Sequence, residues 1–302
     1  MSAPRILLIP GLDDIHWVML KMQDLIAKSG MSKPEIWIWN FDGRPRSLDF
    51  VKRIPFVTAG GYWDEPMDKH QKIFNSAYLT GDIDQLTPFR EFDHFICFNG
   101  SLRVGRDIER DILPGITCDW DYPIARTETE DILARRISAQ AGRYVLLYFS
   151  DHGMFRTWLR HWTPRKIREF IQHARELLPD RRFLLTGSTW DAPFNQTVCN
   201  LPGLMNLVGK TSFDELVGLV RRADAFAGWC GGNTMLSAHL RIPTLMLWSD
   251  YFKDSRFQRN WIDRSRLGST YVPISVERKT PREAAEILAR MISDNEQRRA
   301  AA

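Results

Sequence analysis

Cysteine is scarce in this chain and shows no spacing. The four cysteines, Cys97, Cys118, Cys199 and Cys230, never form a Cys-x-x-Cys pair, which argues against a zinc site or a disulfide framework. A reducing cytosol is the simplest compartment for such a chain. Long apolar runs are also lacking: each is broken well before the roughly 18 residues that a membrane-spanning helix needs. The opening segment, MSAPRILLIPGLDD, has one basic residue and a short apolar run. That is too little for a signal peptide and suits a first β-strand. No Gly-x-Gly-x-x-Gly follows that strand, where the text is Gly11-Leu12-Asp13-Asp14. Its absence counts against a nicotinamide-dependent oxidoreductase. There is no short-period repeat and no low-complexity linker.

What is present belongs to an ordinary globular protein, with 44% hydrophobic and 26% charged residues among 302. That length makes two domains or one large α/β domain. The charge is unevenly spread. Residues 1–150 carry 18 Lys+Arg against 21 Asp+Glu, and residues 151–302 carry 23 against 16, which together give the net +4. A basic second half suits a polyphosphate ligand, and an acidic first half does not advertise a broad nucleic-acid surface.

Hydrophobic runs alternate with helical periodicity through most of the chain. Arg5–Ile9 reads as a central parallel strand. Apolar residues from Ile15 to Ile26 keep helical spacing. Asp13 and Asp14 therefore sit where strand passes to helix, at the edge that faces ligand in open α/β sheets. One of them can serve as the helix N-cap, and two adjacent carboxylates exceed what a cap requires. Glu35–Phe41 and Pro55–Trp63 read as strands, Leu48–Ile54 and Lys69–Leu79 as helices, and His94–Gly100 as a buried strand ending in a turn at Asn99–Ser101. Aromatics here (Trp37, Trp39, Tyr62, Trp63) mix with Arg44, Arg46 and Arg53. Such a mixture can stack a sugar or a base, and it can equally be core and rim.

Leu113–Tyr122 breaks the pattern and reads as a connector. Its Asp119-Trp120-Asp121 spells a metal-type DxD but lies away from any phosphate loop. After a helix over Glu128–Ala141, Tyr144–Phe149 starts a fresh strand, which sets a domain boundary at 142/143. The second half continues with a helix over Thr163–Leu178 that has Pro164 in its first turn. Strands follow over Arg182–Leu185 and Leu207–Val208, then a helix over Ser212–Arg221 opened by a Ser212/Glu215 capping box. The tail, Thr280–Glu296, is a helix expected to pack back across the domain junction.

Between these lies the stretch Asp224–Trp248. It reads as a strand (Ala225–Gly228), a glycine bend (Gly231–Gly232), a helix (Asn233–Leu240) and a second strand (Pro243–Trp248). Glycines there let backbone amides approach a ligand without a Cβ in the way, and the following helix start suits a phosphate. A plain βαβ turn would use the same residues for chain reversal.

The run Lys210-Thr211-Ser212-Phe213-Asp214-Glu215-Leu216, then Ala223-Asp224-Ala225-Phe226, Gly231-Gly232 and Leu236-Ser237-Ala238, resembles the donor half of family 9 glycosyltransferases. This is the ADP-heptose:lipopolysaccharide heptosyltransferase group, of GT-B fold. Arg160-His161-Trp162 with Pro164 is similar to that family's Lys-x-Trp-Pro segment, one residue longer, and Gly11 to His16 is similar to its N-terminal Gly-Asp segment. The resemblance covers most of residues 143–250 and only the first helix before that. It implies an α/β protein of two Rossmann-like α/β/α domains facing a cleft, acceptor side at 1–142 and donor side at 143–302. It also implies an inverting mechanism, a nucleotide-diphosphate sugar as donor, no cofactor and no metal.

By position Asp14 falls on the family's catalytic aspartate, with Asp13 and His16 as other candidate bases. Arg160 falls where a lysine contacts the donor phosphate, Gly231, Gly232 and Asn233 on the pyrophosphate loop, and Thr186, Gly187, Ser188 and Asp191 near the nucleoside. Ser150, His152, Cys230 and Thr234 flank these donor positions, while Arg44, Arg46 and Trp63 are the acceptor-side candidates. Cys230 and Gly231 replace the family's Asp-Ser/Thr, Met235 its histidine, and Asp13 the glycine before its aspartate, which puts heptose in question. The stretches around IWIWNFDGRPRSL and AGGYW look more like glycosyltransferases carried by tailed bacteriophages. That widens the acceptor from a saccharide or glycolipid to a modified DNA base, acted on in a host cytoplasm. Nothing in the sequence calls for an obligate protein partner, and a non-catalytic nucleotide-binding protein is the competing class.

Overall fold

The computed structural model describes residues 3–66, 91–96, 117, 119–151, 159–249 and 270–301. The helix expected over 69–79, the turn at 99–101 and the candidate His152 lie outside them. The chain divides into two compact units, with the first change of unit between Arg126 and Thr127.

In the first unit, strands β1 (Arg5–Leu8), β2 (Glu35–Trp39), β3 (Thr58–Trp63) and β4 (His94–Ile96) pair in parallel in the order β3-β2-β1-β4. Ile6, Leu7 and Leu8 are buried, as a strand covered on both faces requires. The β2–β3 register shifts between Ile36 and Trp37, which leaves Gly60 as the extra residue. A Cβ at Gly60 would collide with the Trp37 indole, which lies across Gly60 and Gly61. Helix α1 (Leu12–Ser29) returns over this sheet and buries Ile15, Trp17, Met19, Leu20 and Met22. It ends at Gly30, whose left-handed backbone (φ 67°) lets its N–H close on the Ile26 carbonyl.

The second unit holds β5 (Tyr144–Tyr148), β6 (Arg182–Thr186), β7 (Leu204–Asn206), β8 (Ala225–Trp229), β9 (Thr244–Trp248) and β10 (Tyr271–Ser275). All pair in parallel in the order β10-β9-β8-β5-β6-β7. The chain starts in the middle, winds outward through β6 and β7, then returns to wind the other way through β8, β9 and β10. This is the doubly wound order, whose reversal point lies between β5 and β8. β10 carries Pro273, tolerable because an edge strand can spare the missing amide.

The helix Glu130–Ala141 belongs to this second unit. It packs on the helix Phe213–Arg222, where Gly218 has its missing side chain against the Glu130 carbonyl. The unit boundary therefore precedes the 142/143 division that the strand rhythm suggests. The C-terminal helix Pro281–Ala301 packs on the helix Pro164–Leu177 of its own unit. Among the described residues no helix is long and apolar enough to cross a membrane.

Candidate functional site

The first sheet reverses its winding between β1 and β4, and the carboxyl end of β1 runs straight into α1. The N-cap of that helix is Gly11, with Asp13 and Asp14 in its first turn. Neither aspartate is the cap, which corrects the sequence expectation. Both carboxylates fold back over Gly11, where an added Cβ would meet them. Asp13 is half-buried. Burial raises its carboxyl above the ordinary value, opposed by the backbone amides of Asp13 and Asp14 and by the charge of Arg46. Desolvation thus outweighs the helix start, which alone would favour the anion.

His16 lies elsewhere on the same helix. It is 1% exposed, packs against Phe50, Trp120 and Tyr122, and pairs its Nδ1 with the Tyr122 hydroxyl at 2.7 Å. That is the environment of a core histidine rather than of a base reaching solvent. The Asp119-Trp120-Asp121 stretch is a turn closed by the Asp121 amide donating to Asp119 Oδ1, with Trp120 buried against Trp17.

Of the acceptor-side candidates, Arg46 donates through a single nitrogen, Nη1, to both Asp42 oxygens (2.9 and 3.0 Å) and to the Arg44 carbonyl, while Arg44 is exposed. Trp63 is packed edge-on to Phe92 and tilted against Trp39. Arg53 is 2% exposed and donates to the Ala125 carbonyl. The aromatic and arginine mixture is therefore mostly core and rim.

In the second unit the reversal point brings together the ends of β5, β6 and β8. Trp229, the last residue of β8, is the hub. Its indole N–H donates to the Ser150 carbonyl at 3.1 Å, and its ring meets Phe149 and Trp162 edge-on. Trp162, fully buried, also donates to the Lys279 carbonyl and so anchors the turn that carries exposed Arg160. Arg160 and the bend after β8 thus hang from one aromatic cluster.

The bend itself differs from expectation. Gly231 is extended (φ 179°, ψ −172°), a conformation open to any residue, and the helix begins at Gly232, one residue early. Gly231 offers no capping side chain, so the amides of the first turn remain available to an anion. Gly232 and Asn233 are half-buried. Thr234 is fully buried, with its hydroxyl on the Trp229 carbonyl, and Cys230 is a buried strand end whose amide pairs with Leu247.

Asp191 is the strut of the β6 end. Its two oxygens accept from Ser150 Oγ (2.5 Å) and the Ser188 amide (2.8 Å), and Asn195 ties its carbonyl to that of Phe149. Thr186 donates to the Leu147 carbonyl. Ser150, Thr186, Asp191 and Thr234 are thus buried and internally bonded, and they shape the edge. Gly187, Ser188, Gly232 and Asn233 are half-buried and Arg160 is exposed.

Glu277 joins the same edge without having been singled out in the sequence. It accepts from Ser249 and Ser275 and lies 3.6 Å from His161 Nε2. Its only sequence signal was its place just after an edge strand disguised by a proline.

Two parallel, doubly wound units, each with polar loops at its reversal point, define the two-domain Rossmann-like architecture of GT-B glycosyltransferases. The solved structures this chain is similar to include E. coli ADP-heptose LPS heptosyltransferase II, at TM-score 0.60 and 16% identity over 97% of this chain and 99% of that one. Others are the glycosyl transferase family 9 protein from Veillonella parvula (0.59, 10%, 97% and 99%) and a UDP-N-acetylglucosamine 2-epimerase from Listeria monocytogenes (0.52, 10%, 98% and 89%). At these identities the likeness establishes the fold. No family model and no curated protein matches the chain.

Proposed function

We propose that the protein is a glycosyltransferase that moves a sugar from a nucleotide-diphosphate sugar to an acceptor hydroxyl, with inversion and without a metal. The observation that carries this reading is the chemistry at the two reversal points. The first unit has a desolvated carboxylate there, and the second has open amides at a helix start and exposed Arg160, two residues from the Trp162 that packs on Trp229. Transfer needs both: a base for the hydroxyl as it attacks C1, and positive charge for the departing diphosphate.

Asp13 is assigned as the base because burial raises its carboxyl above the ordinary value, which makes it a better proton acceptor than an exposed carboxylate. Gly232, Asn233 and Arg160 are assigned to the diphosphate, and Gly187 with Ser188 to the nucleoside side. The neighbours named for ADP-heptose favour an ADP-sugar among donors. A saccharide or glycolipid hydroxyl is favoured over a modified DNA base as acceptor. Arg46 is committed to Asp42, and Arg53 and Trp63 are committed to packing, which leaves little of the stacking platform a flipped base would use.

The test is a pair of single variants assayed with ADP-, GDP- and UDP-sugars. Asp13→Asn is expected to lower transfer by about a hundredfold or more while nucleoside diphosphate binding is retained. Near-normal turnover in Asp13→Asn with loss in Asp14→Asn moves the base to the position the family resemblance marks. Normal turnover in both variants removes the carboxylate mechanism. Production of an epimerised nucleotide sugar, with no transfer, assigns the fold to the other chemistry.

A further inference from the structure

Two residues ahead of the short helix α2 (Leu48–Val51), Arg46 and Ser47, take no part in the transfer proposed above, and the geometry of Ser47 is unusual. Ser47 has a left-handed backbone (φ 70°), uncommon for a residue with a side chain. A serine held there is strained by about 1 kcal/mol or more, so the surroundings must over-determine it. Part of that hold is visible: its Oγ donates to the Pro10 carbonyl at 2.8 Å, across 37 residues of sequence. Pro10 immediately precedes Gly11 and the two aspartates. One residue earlier, Arg46 closes a loop by donating from Nη1 to both oxygens of Asp42, and its charge acts on Asp13.

We propose that Asp42–Ser47 is a positioning strap for the carboxylate turn, in which Ser47 pins Pro10 and the Asp42–Arg46 pair closes the loop that delivers Ser47. The assignment rests on the reading of Asp13 as the base, and it adds residues that touch no substrate. Left-handed serine and a long-range hydroxyl bond both serve one end: they fix where α1 begins. Arg46 changes from an acceptor-binding candidate into a positioning residue. Besides Asp14 and His16 on α1 itself, the charged or titratable groups of the neighbouring segments are Asp42, Arg44 and Arg46 in the strap, Asp49 in α2, Lys52 just after it, and Tyr62 on β3.

The experiment uses the full chain and needs no substrate. Carbon-13 NMR titration of the Asp13 carboxyl, assigned through Asp13→Asn, is compared in the natural chain, Arg46→Gln and Ser47→Gly. Arg46→Gln is expected to raise the Asp13 midpoint by roughly half a pH unit, because an opposing cation is lost. Ser47→Gly keeps the left-handed backbone without strain and deletes the hydroxyl. It is expected to speed amide exchange at residues 11–15 by about fivefold with exchange elsewhere unchanged. An unchanged Asp13 midpoint in Arg46→Gln together with unchanged local exchange in Ser47→Gly overturns the strap. Should Arg46→Gln prove unfolded, Asp42→Asn reports the same pair from its other side. If no nucleotide sugar is turned over and yet Asp13 follows Arg46, the strap stands and the transferase reading falls.

Discussion

Single residues here take opposite roles according to what surrounds them. Asp13 and His16 both sit on α1, three positions apart. One is desolvated at the helix start with backbone amides and the charge of Arg46 opposing that burial, and the other is walled in by Phe50, Trp120 and Tyr122. Sequence supplied both as candidate bases, because residue type and helical phase are visible there and ring packing from residues a hundred positions away is not. The same holds for Ser150, Thr186 and Asp191, which read as ligand contacts and turn out to bond one another and the strand ends.

Tyr144 yields a pH prediction at this scale. It is buried at the start of β5, donates to the Leu219 carbonyl at 2.8 Å, and burial pushes its phenol up to about 12 from 10.0. A raised folded-state value means its contribution is fully present below about pH 10 and is lost as pH rises through about 12. Urea unfolding between pH 9 and 12 should therefore show stability falling by about 2 kcal/mol. Tyr144→Phe should flatten that fall while costing about 1 kcal/mol at neutral pH for the orphaned carbonyl.

Elements were legible where local chemistry decides them. The Ser212/Glu215 capping box is formed in both directions, and Thr163 caps the helix that Pro164 begins. β1 and β5 announced themselves as continuous apolar runs, whereas the strand expected at Leu207–Val208 lies at Leu204–Asn206, a three-residue edge strand too short to leave a pattern of its own. The misses have physical causes. β10 carries Pro273, a breaker in any strand except an edge, and edge status is a property of the finished sheet. The helix after the glycine bend was expected from Asn233, whereas Gly231 is extended and the helix already starts at Gly232.

Gly218 drew no comment in the sequence, since a lone glycine in a helix is ambiguous, and it proves to be where two helices touch. A Cβ there would land on backbone, which cannot rotate away. Gly218→Ala should therefore cost about 2 kcal/mol or more, in spite of the better helix propensity of alanine. Calorimetry of the variant checks this, and a stabilised Gly218→Ala would mean the two helices are not in contact.

For the whole molecule, two points were readable at the start: the βα rhythm repeated in two halves, and the basic excess of the second. The rhythm gave the doubly wound units, though their division falls at Arg126/Thr127 because the helix Glu130–Ala141 is tied to the second by buried Glu130 on Arg221 and by Asp131 on Arg222. The basic excess matches a unit proposed to hold a diphosphate, and Arg160 is the residue where that idea is most exposed. Arg160→Ala leaves Trp162 and its anchor in place, so it should weaken nucleoside diphosphate binding about tenfold without unfolding the turn.

The most direct measurement of the central claim is thermal unfolding of the full chain against ADP, GDP, UDP and NAD, repeated in Arg160→Ala. The account predicts that one nucleoside diphosphate raises the melting temperature by about 4 °C or more at saturating concentration, and that Arg160→Ala removes most of this shift. Equal, negligible shifts for all four ligands at millimolar concentration would contradict it.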